Sequence, residues 1–222
     1  MKISKATIEL LKNYSSINPS IYVESGSSIQ TSSPYENVST YAEVDETFPV
    51  EFGIYELSRF LNVISMMPDP DFDFQEKYVQ ITSGRHSIKY QYASKSMIIY
   101  KKFDAAAASS VKGDIEFTLT KNDLSMLRKA SALLSMPDLQ FQCVDGKIVA
   151  RVVDQENGTI DDYTTIIGDC SVETSDPISF EFDAIKLIDG DYNVSMSADM
   201  PFAIFSKVDD SLFYVVCVRG DK

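Results

Sequence analysis

The chain has 222 residues, with 33 acidic against 20 basic side chains for a net charge of −13; 44% are hydrophobic and 24% charged, and there is one histidine. That length holds one large domain or two of about 110 residues, and the apolar content excludes a disordered chain. No run nears the roughly 18 apolar residues that span a bilayer, and the start lacks the basic-then-apolar layout of a signal peptide, so an intracellular setting without membrane contact is expected.

In chain order, residues 4 to 14 place Ile8, Leu11 and Ile3 on one face and Lys5, Glu9 and Lys12 on the other, the pattern of an amphipathic helix with Ser4 as its N-cap. Asn18-Pro19 turns the chain into a short strand, Ser20 to Glu24, which Ser25-Gly26 closes before a hairpin. Tyr41 to Val44 and Phe48 to Phe52 alternate as half-buried strands, with Pro49 favouring a strand start or an edge. From Ile54 to Met67 the spacing becomes helical, with Ile54, Leu57, Leu61 and Ile64 on one stripe and Pro68 as the stop. Asp69-Pro70-Asp71 reads as a turn, and Tyr78 to Thr82, Ser87 to Tyr92 and Ser96 to Tyr100 read as strands.

Residues 101 to 113 show neither alternation nor an apolar stripe, so a linker is expected there, although its four alanines suit a helical turn. The predicted organisation is a domain at 1–102, a connector at 103–113 and a domain at 114–222. The second half restarts with a strand, Glu116 to Leu119, and a helix, Thr120 to Leu133, whose first residues resemble a capping box. Pro137 precedes the strand Leu139 to Val144, and Asp145-Gly146 turns it tightly into Lys147 to Val153. Strands at Tyr163 to Ile167 and Ser179 to Phe182, a short helix at Asp183 to Ile188, and strands at Tyr192 to Met196, Phe202 to Lys207 and Phe213 to Val218 complete the chain.

The halves superpose as sequences. Ser4, Lys5, Ile8, Leu11 and Lys12 match Thr120, Lys121, Leu124, Leu127 and Arg128 at a constant offset of 116, and Pro19, Ile21 and Val23 match Pro137, Leu139 and Phe141. Recurrence of the same element order indicates tandem duplication of one α+β unit.

A catalytic centre is not visible in this pattern. His86 is the sole histidine, so no two-histidine metal site can be built. Asp69-Pro70-Asp71-Phe72-Asp73, Asp161-Asp162 and Asp209-Asp210 lack EF-hand spacing, and Ser25-Gly26-Ser27-Ser28 lacks the lysine of a phosphate loop. Cys143, Cys170 and Cys217 share no short spacing and read as small buried hydrophobes rather than a disulfide framework or zinc site. No metal or cofactor is expected. The basic residues say more: Lys5, Lys12, Arg59, Lys121, Arg128, Lys129 and Lys186 fall on the polar faces of the expected helices, and Lys5 with Lys12 recur as Lys121 with Arg128 at matched positions. Without interleaved aromatics or a helix-turn-helix, this suits loose phosphate contact without base reading. A structural or assembly protein of a virion, built from duplicated β-rich units, also fits the acidic, strand-rich composition, but does not call for basic side chains at matched helix positions.

Met1-Lys2-Ile3-Ser4-Lys5 continuing to Leu10-Leu11-Lys12-Asn13 and Ile17-Asn18, Thr40-Tyr41-Ala42-Glu43, and Ile54-Tyr55-Glu56-Leu57 with Phe60-Leu61 resemble the T-even-type bacteriophage DNA polymerase sliding clamps, or processivity factors. Leu124 to Arg128 and Gly146-Lys147-Ile148-Val149 extend the resemblance into the second half. It implies an α+β DNA-clamp fold of two tandem similar domains, each with two helices packed on β-sheets, assembled as a closed homotrimeric ring. Such a ring encircles double-stranded DNA and tethers the replicative DNA polymerase without being an enzyme. An ATP-driven clamp loader and transcription factors are the further partners it implies, in the cytoplasm of an infected host cell.

By the resemblance, Lys5, Lys12, Lys121, Arg128 and Lys129 face DNA, joined by Arg59 and Lys186. Partner peptides are expected at Tyr100, Phe103, Leu134, Met136, Pro137, Phe213 and Val215. Ring closure is expected between Met97, Ile98 and Ile99 of one subunit and Tyr163, Thr165 and Ile167 of the next. The stretch Asp183 to Gly190 departs from the pattern, being short and acidic around Lys186.

Overall fold

The first helix starts where a side-chain oxygen can satisfy an otherwise unpaired backbone N–H: Ser4 accepts from the N–H of Thr7, and α1 runs over Lys5–Ile17. The structure, a computed structural model, describes residues 1–157, 161–209 and 211–220; Asp210, grouped above with Asp209, lies outside them. Two compact units divide the chain, Met1–Phe103 and Asp104–Lys222.

In unit 1, α1 buries Thr7, Leu10, Leu11, Tyr14 and Ile17, while Ile8 and Ile3 are half-buried. The buried stripe is rotated from the one expected because two polar side chains find partners inside. Thr7 donates to Glu46, and Thr40 donates to the Tyr14 hydroxyl at 3.1 Å. Four strands follow or flank it: β1 (Ile21–Val23), β2 (Gly26–Ser32), β3 (Val38–Phe48) and β4 (Phe52–Ile54). β1 pairs antiparallel with β4, and β2 with β3. The expected strands Tyr41 to Val44 and Phe48 to Phe52 are thus parts of a longer β3 and of β4, with Pro49 between them.

Next comes α2 (Leu57–Ser65), burying Leu57, Phe60, Leu61 and Ile64 beside α1. The strands β5 (Asp71–Phe74), β6 (Tyr78–Ser83) and β7 (His86–Gln91) form a three-stranded antiparallel sheet in that order. β5 was not expected, since its aspartates read as turn chemistry. Yet Asp71 and Asp73 are exposed while Phe72 and Phe74 are buried, the period of two that defines a strand. Phe48, Phe52 and Phe74 meet edge-on or tilted with centroids 5.0 to 5.6 Å apart, and these rings form the heart of the unit.

The expected strand at 96 to 100 is absent. Lys95–Met97 forms a 3-10 turn, and the backbone around it bonds to other groups: Ala93 N–H donates to Gly53 O, and Asn18 Nδ2 donates to Ile99 O at 3.1 Å. Buried Ile98 between exposed Met97 and Ile99 imitates strand alternation without a neighbouring strand.

Unit 2 opens with a short helix, α3 (Ala105–Ser110), capped by Asp104, inside the stretch read as a linker. β8 (Ile115–Leu119) leads into α4 (Lys121–Leu134), where Thr120 and Asp123 form a reciprocal capping box. The helix ends at Ser135, held left-handed at φ 56°. β9 (Asp138–Val144), β10 (Lys147–Val153), β11 (Tyr163–Asp169) and β12 (Ile178–Glu181) form a sheet in the order β11-β10-β9-β12. Asp145 and Gly146, both at positive φ, make the tight turn between β9 and β10. β13 (Tyr192–Met196), β14 (Phe202–Lys207) and β15 (Leu212–Cys217) join β8 in the order β15-β14-β13-β8. Phe117, Phe141, Phe180 and Phe205 pass a chain of ring contacts through the core.

The fourth expected helix, Asp183 to Ile188, is reduced to a 3-10 turn at Phe182–Ala184. Ala184, Ile185 and Leu187 are all buried, and the backbone leaves helical geometry at Ile185, with φ −80° and ψ 65°. The cysteines also divide: Cys143 is buried and Cys170 half-buried, whereas Cys217, at the end of β15, is exposed rather than a core residue. No helix among the described residues is long and apolar enough to cross a membrane.

Candidate nucleic-acid interface

Burying one stripe of a helix leaves its other side to solvent, and in both units that side carries the basic residues. On α1, Lys5 and Lys12 are exposed and lie seven residues apart, two turns or roughly 10 Å along one face. Lys12 Nζ pairs with Glu9 at 2.8 Å, one turn back. Lys5 has no ion pair among the described residues. On α2, Arg59 is exposed and sits 3.7 Å from Glu56.

The matched helix repeats this spacing with different partners. On α4, Lys121 and Lys129 are exposed and Arg128 is half-buried. Arg128 Nη1 lies 3.1 Å from Asp189 Oδ1, and its Nη2 donates to the carbonyl of Leu187. Lys121 Nζ lies 3.5 Å from the other oxygen of Asp189, and its backbone N–H donates to Asp191 at 2.7 Å. Lys129 has no ion pair among the described residues. Lys186, half-buried, follows the 3-10 turn and donates its N–H to Ala184 O. In unit 1, therefore, Lys5 and Lys12 share one face of α1 and Arg59 lies on α2; in unit 2, Lys121 and Arg128 share one face of α4, Lys129 is the next position along, and Lys186 lies outside any helix.

The orientation of α1 depends on a residue missed by the sequence reading. Glu46, buried on β3, accepts from the N–H of Ser4 and, at 2.6 Å, from Thr7 Oγ1. Burial pushes this carboxyl up, but the bonds from Thr7 and Ser4 more than offset that and hold it below the usual range. An anion at a helix N-terminus also complements the helix dipole. No local pattern betrays the role, because the partners are 39 and 42 positions distant.

The other two expected groups are distributed less simply. Tyr100 and Phe103 are both tied to Gln30, whose Nε2 donates to the Tyr100 hydroxyl at 2.8 Å and whose Oε1 accepts from Phe103 N–H at 3.0 Å. Lys95 Nζ sits 4.2 Å from the ring centre of Tyr22 and 4.8 Å from that of Tyr100. Burial, with a further push from Glu24, raises the Tyr100 hydroxyl to about 12. In unit 2, Leu134, Met136 and Pro137 flank the end of α4; Leu134 and Pro137 are exposed, and Met136 is buried. Phe213 and Val215 share the half-buried face of β15. Of the ring-closure residues, Tyr163, Thr165 and Ile167 alternate along β11, the terminal strand of its sheet, whereas Met97, Ile98 and Ile99 lie in and after the 3-10 turn.

This arrangement, helices with basic exposed faces packed with antiparallel sheets in two repeated units, is the fold of the DNA clamps. The structure of A. fulgidus PCNA solved with the C-terminal region of FEN-1 is similar to it with a TM-score of 0.68 at 11% identity, covering 97% of this chain and 95% of that one. Residues 2–100 match the family model described as DNA polymerase processivity factor. The sliding clamp of Vibrio phage KVP40 is 31% identical over 199 residues, 88% of this chain and 90% of that protein. The sliding clamp of Enterobacteria phage T4 is 27% identical over 231 residues, covering 100% of this chain and 98% of that protein. The chain belongs to the T4-type phage sliding clamps, the processivity factors of DNA polymerase.

Proposed function

We propose that three copies of this chain close into a ring around duplex DNA, and that the ring tethers the replicative polymerase without performing chemistry of its own. The observation that carries this reading is the recurrence of basic side chains on the exposed faces of α1 and α4, at matched positions in a chain of net charge −13. In a closed ring these faces line the hole. Contacts between lysine or arginine and a uniform phosphate backbone carry no sequence information, so the duplex is held without a fixed register. Net negative charge elsewhere disfavours DNA on the outside.

The domains in this reading are residues 1–102 and 114–222, joined by a connector at 103–113. Head-to-tail closure uses the outer edge of β11, at Tyr163, Thr165 and Ile167. Because residues 97–99 form no strand, the complementary edge is better sought in β7, which ends the last sheet of unit 1. Partner peptides, by analogy with the FEN-1 segment bound to A. fulgidus PCNA, dock at Tyr100 and Phe103 and at Leu134, Pro137, Phe213 and Val215, with buried Met136 as support. An ATP-driven loader opens the ring, transcription factors are further partners, and the setting is the cytoplasm of an infected host cell.

Primer extension on a long template, with the cognate polymerase and loader, tests the function. Products should lengthen when the chain is added; unchanged length would overturn the proposal. Light scattering across a dilution series tests the ring, with a trimer that dissociates on dilution as the expected result.

A further inference from the structure

The second unit presents an acid from a loop where the first presents a helix carrying one arginine. In unit 1 the neighbour of α1 is α2, which presents Arg59. In unit 2 the neighbour of α4 is the segment after the 3-10 turn, which presents Asp189. One carboxylate there engages two cations of α4: Oδ1 reaches Arg128 Nη1 at 3.1 Å and Oδ2 reaches Lys121 Nζ at 3.5 Å. Those cations are seven residues apart on one face, so their convergence on a single aspartate draws them away from separate phosphates.

We infer that Asp189 is a positioning residue that stands in for a DNA phosphate, occupying Lys121 and Arg128 between contacts and competing with the duplex for them. The inference rests on the reading of the basic face of α4 as DNA-facing. Lys121 and Asp189 side chains are each 64% exposed, and ion pairs in such surroundings are weak and exchange readily. A passing phosphate displaces Asp189 at small cost, and Asp189 recaptures the cation when the phosphate moves on. Arg128 keeps its bond to Leu187 O throughout, which holds its guanidinium near the surface. Lys129 has no such competitor among the described residues and keeps the helix attractive to DNA.

The experiment uses the full chain and a labelled linear duplex without sequence preference, with binding followed by fluorescence anisotropy over a series of salt concentrations. Asp189→Asn should bind roughly 3- to 10-fold tighter at low salt, and its log K against log salt should steepen by about one to two contacts' worth. Asp189→Glu, which keeps the carboxylate, should behave like the parent. Asp199→Asn adds the same charge on an exposed turn after β13 and should change affinity less than about 2-fold. In primer extension the Asp189→Asn ring should stay on DNA longer but advance more slowly. If Asp189→Asn and Asp199→Asn strengthen binding equally, or Asp189→Asn leaves it unchanged, the inference is overturned while the function stands. If the parent chain neither binds duplex nor lengthens products, the function itself fails, and the inference with it.

Discussion

Glu46 has its two carboxylate oxygens committed to the first turn of α1, and its removal leaves Ser4 N–H and the Thr7 hydroxyl without their buried acceptor. Glu46→Ala should therefore destabilise unit 1 by about 1–3 kcal/mol, measured by urea unfolding. The pH dependence follows from the lowered carboxyl. Its stabilisation is complete above the unfolded-state value, near 4.3, and is lost as pH falls through the folded one. The stability difference between parent and Glu46→Gln should thus shrink below about pH 4. Asp138 makes a comparable case in unit 2. It is fully buried, and its charge is met by Arg219, which also pairs with Glu156 at 2.7 Å. Arg219→Ala should lower the melting temperature more than Lys102→Ala, whose ammonium is exposed and whose partner Glu24 is only half-buried.

At the level of elements, close approaches decide which segments can pack. A Cβ on Gly53 would stand 2.8 Å from Ala93 O and collide with Ile98, so glycine alone lets the 93–98 segment lie against β4. Gly53→Ala should cost about 1–3 kcal/mol, seen as a lower urea midpoint with an unchanged slope. On β11, the terminal strand of its sheet, Ile167→Asp should move ring dissociation to higher protein concentration in light scattering, an effect larger than its cost to the monomer's melting temperature. The sequence was clearest for elements with their own local signals. Ser4 and Thr120 announce their helices by capping, and Asp145-Gly146 announces its hairpin. It was opaque where tertiary contacts decide. The aspartates of β5 hid a strand whose phenylalanines are needed in the core, and the 183–188 segment leaves helical geometry at Ile185, amid three side chains buried by contacts distant in sequence.

For the whole molecule, the basic faces were legible because duplication prints them twice, and a local charge pattern that recurs at a fixed offset survives weak overall similarity. Their internal neutralisation was not legible, since Asp189 lies 61 residues from Arg128 in sequence. That distinction matters in choosing variants. Arg128 also holds Leu187 O, so its reversal would disturb the adjoining segment. Lys5 and Lys129 are exposed and unpaired among the described residues. Lys5→Glu with Lys129→Glu should shorten primer-extension products while leaving the melting temperature near that of the parent; full-length products would remove these residues from the DNA-facing set.

The replacement of a helix by the 3-10 turn at Phe182–Ala184 makes the two units unequal. In the proposed ring, a duplex rotating inside would meet alternating sectors, one whose cations pair with acids of their own helices, Glu9 and Glu56, and one whose two cations converge on the single Asp189. The electrostatic landscape then repeats once per subunit rather than once per unit. In such a ring the pull of each second-unit sector on the duplex would be trimmed by one carboxylate per subunit.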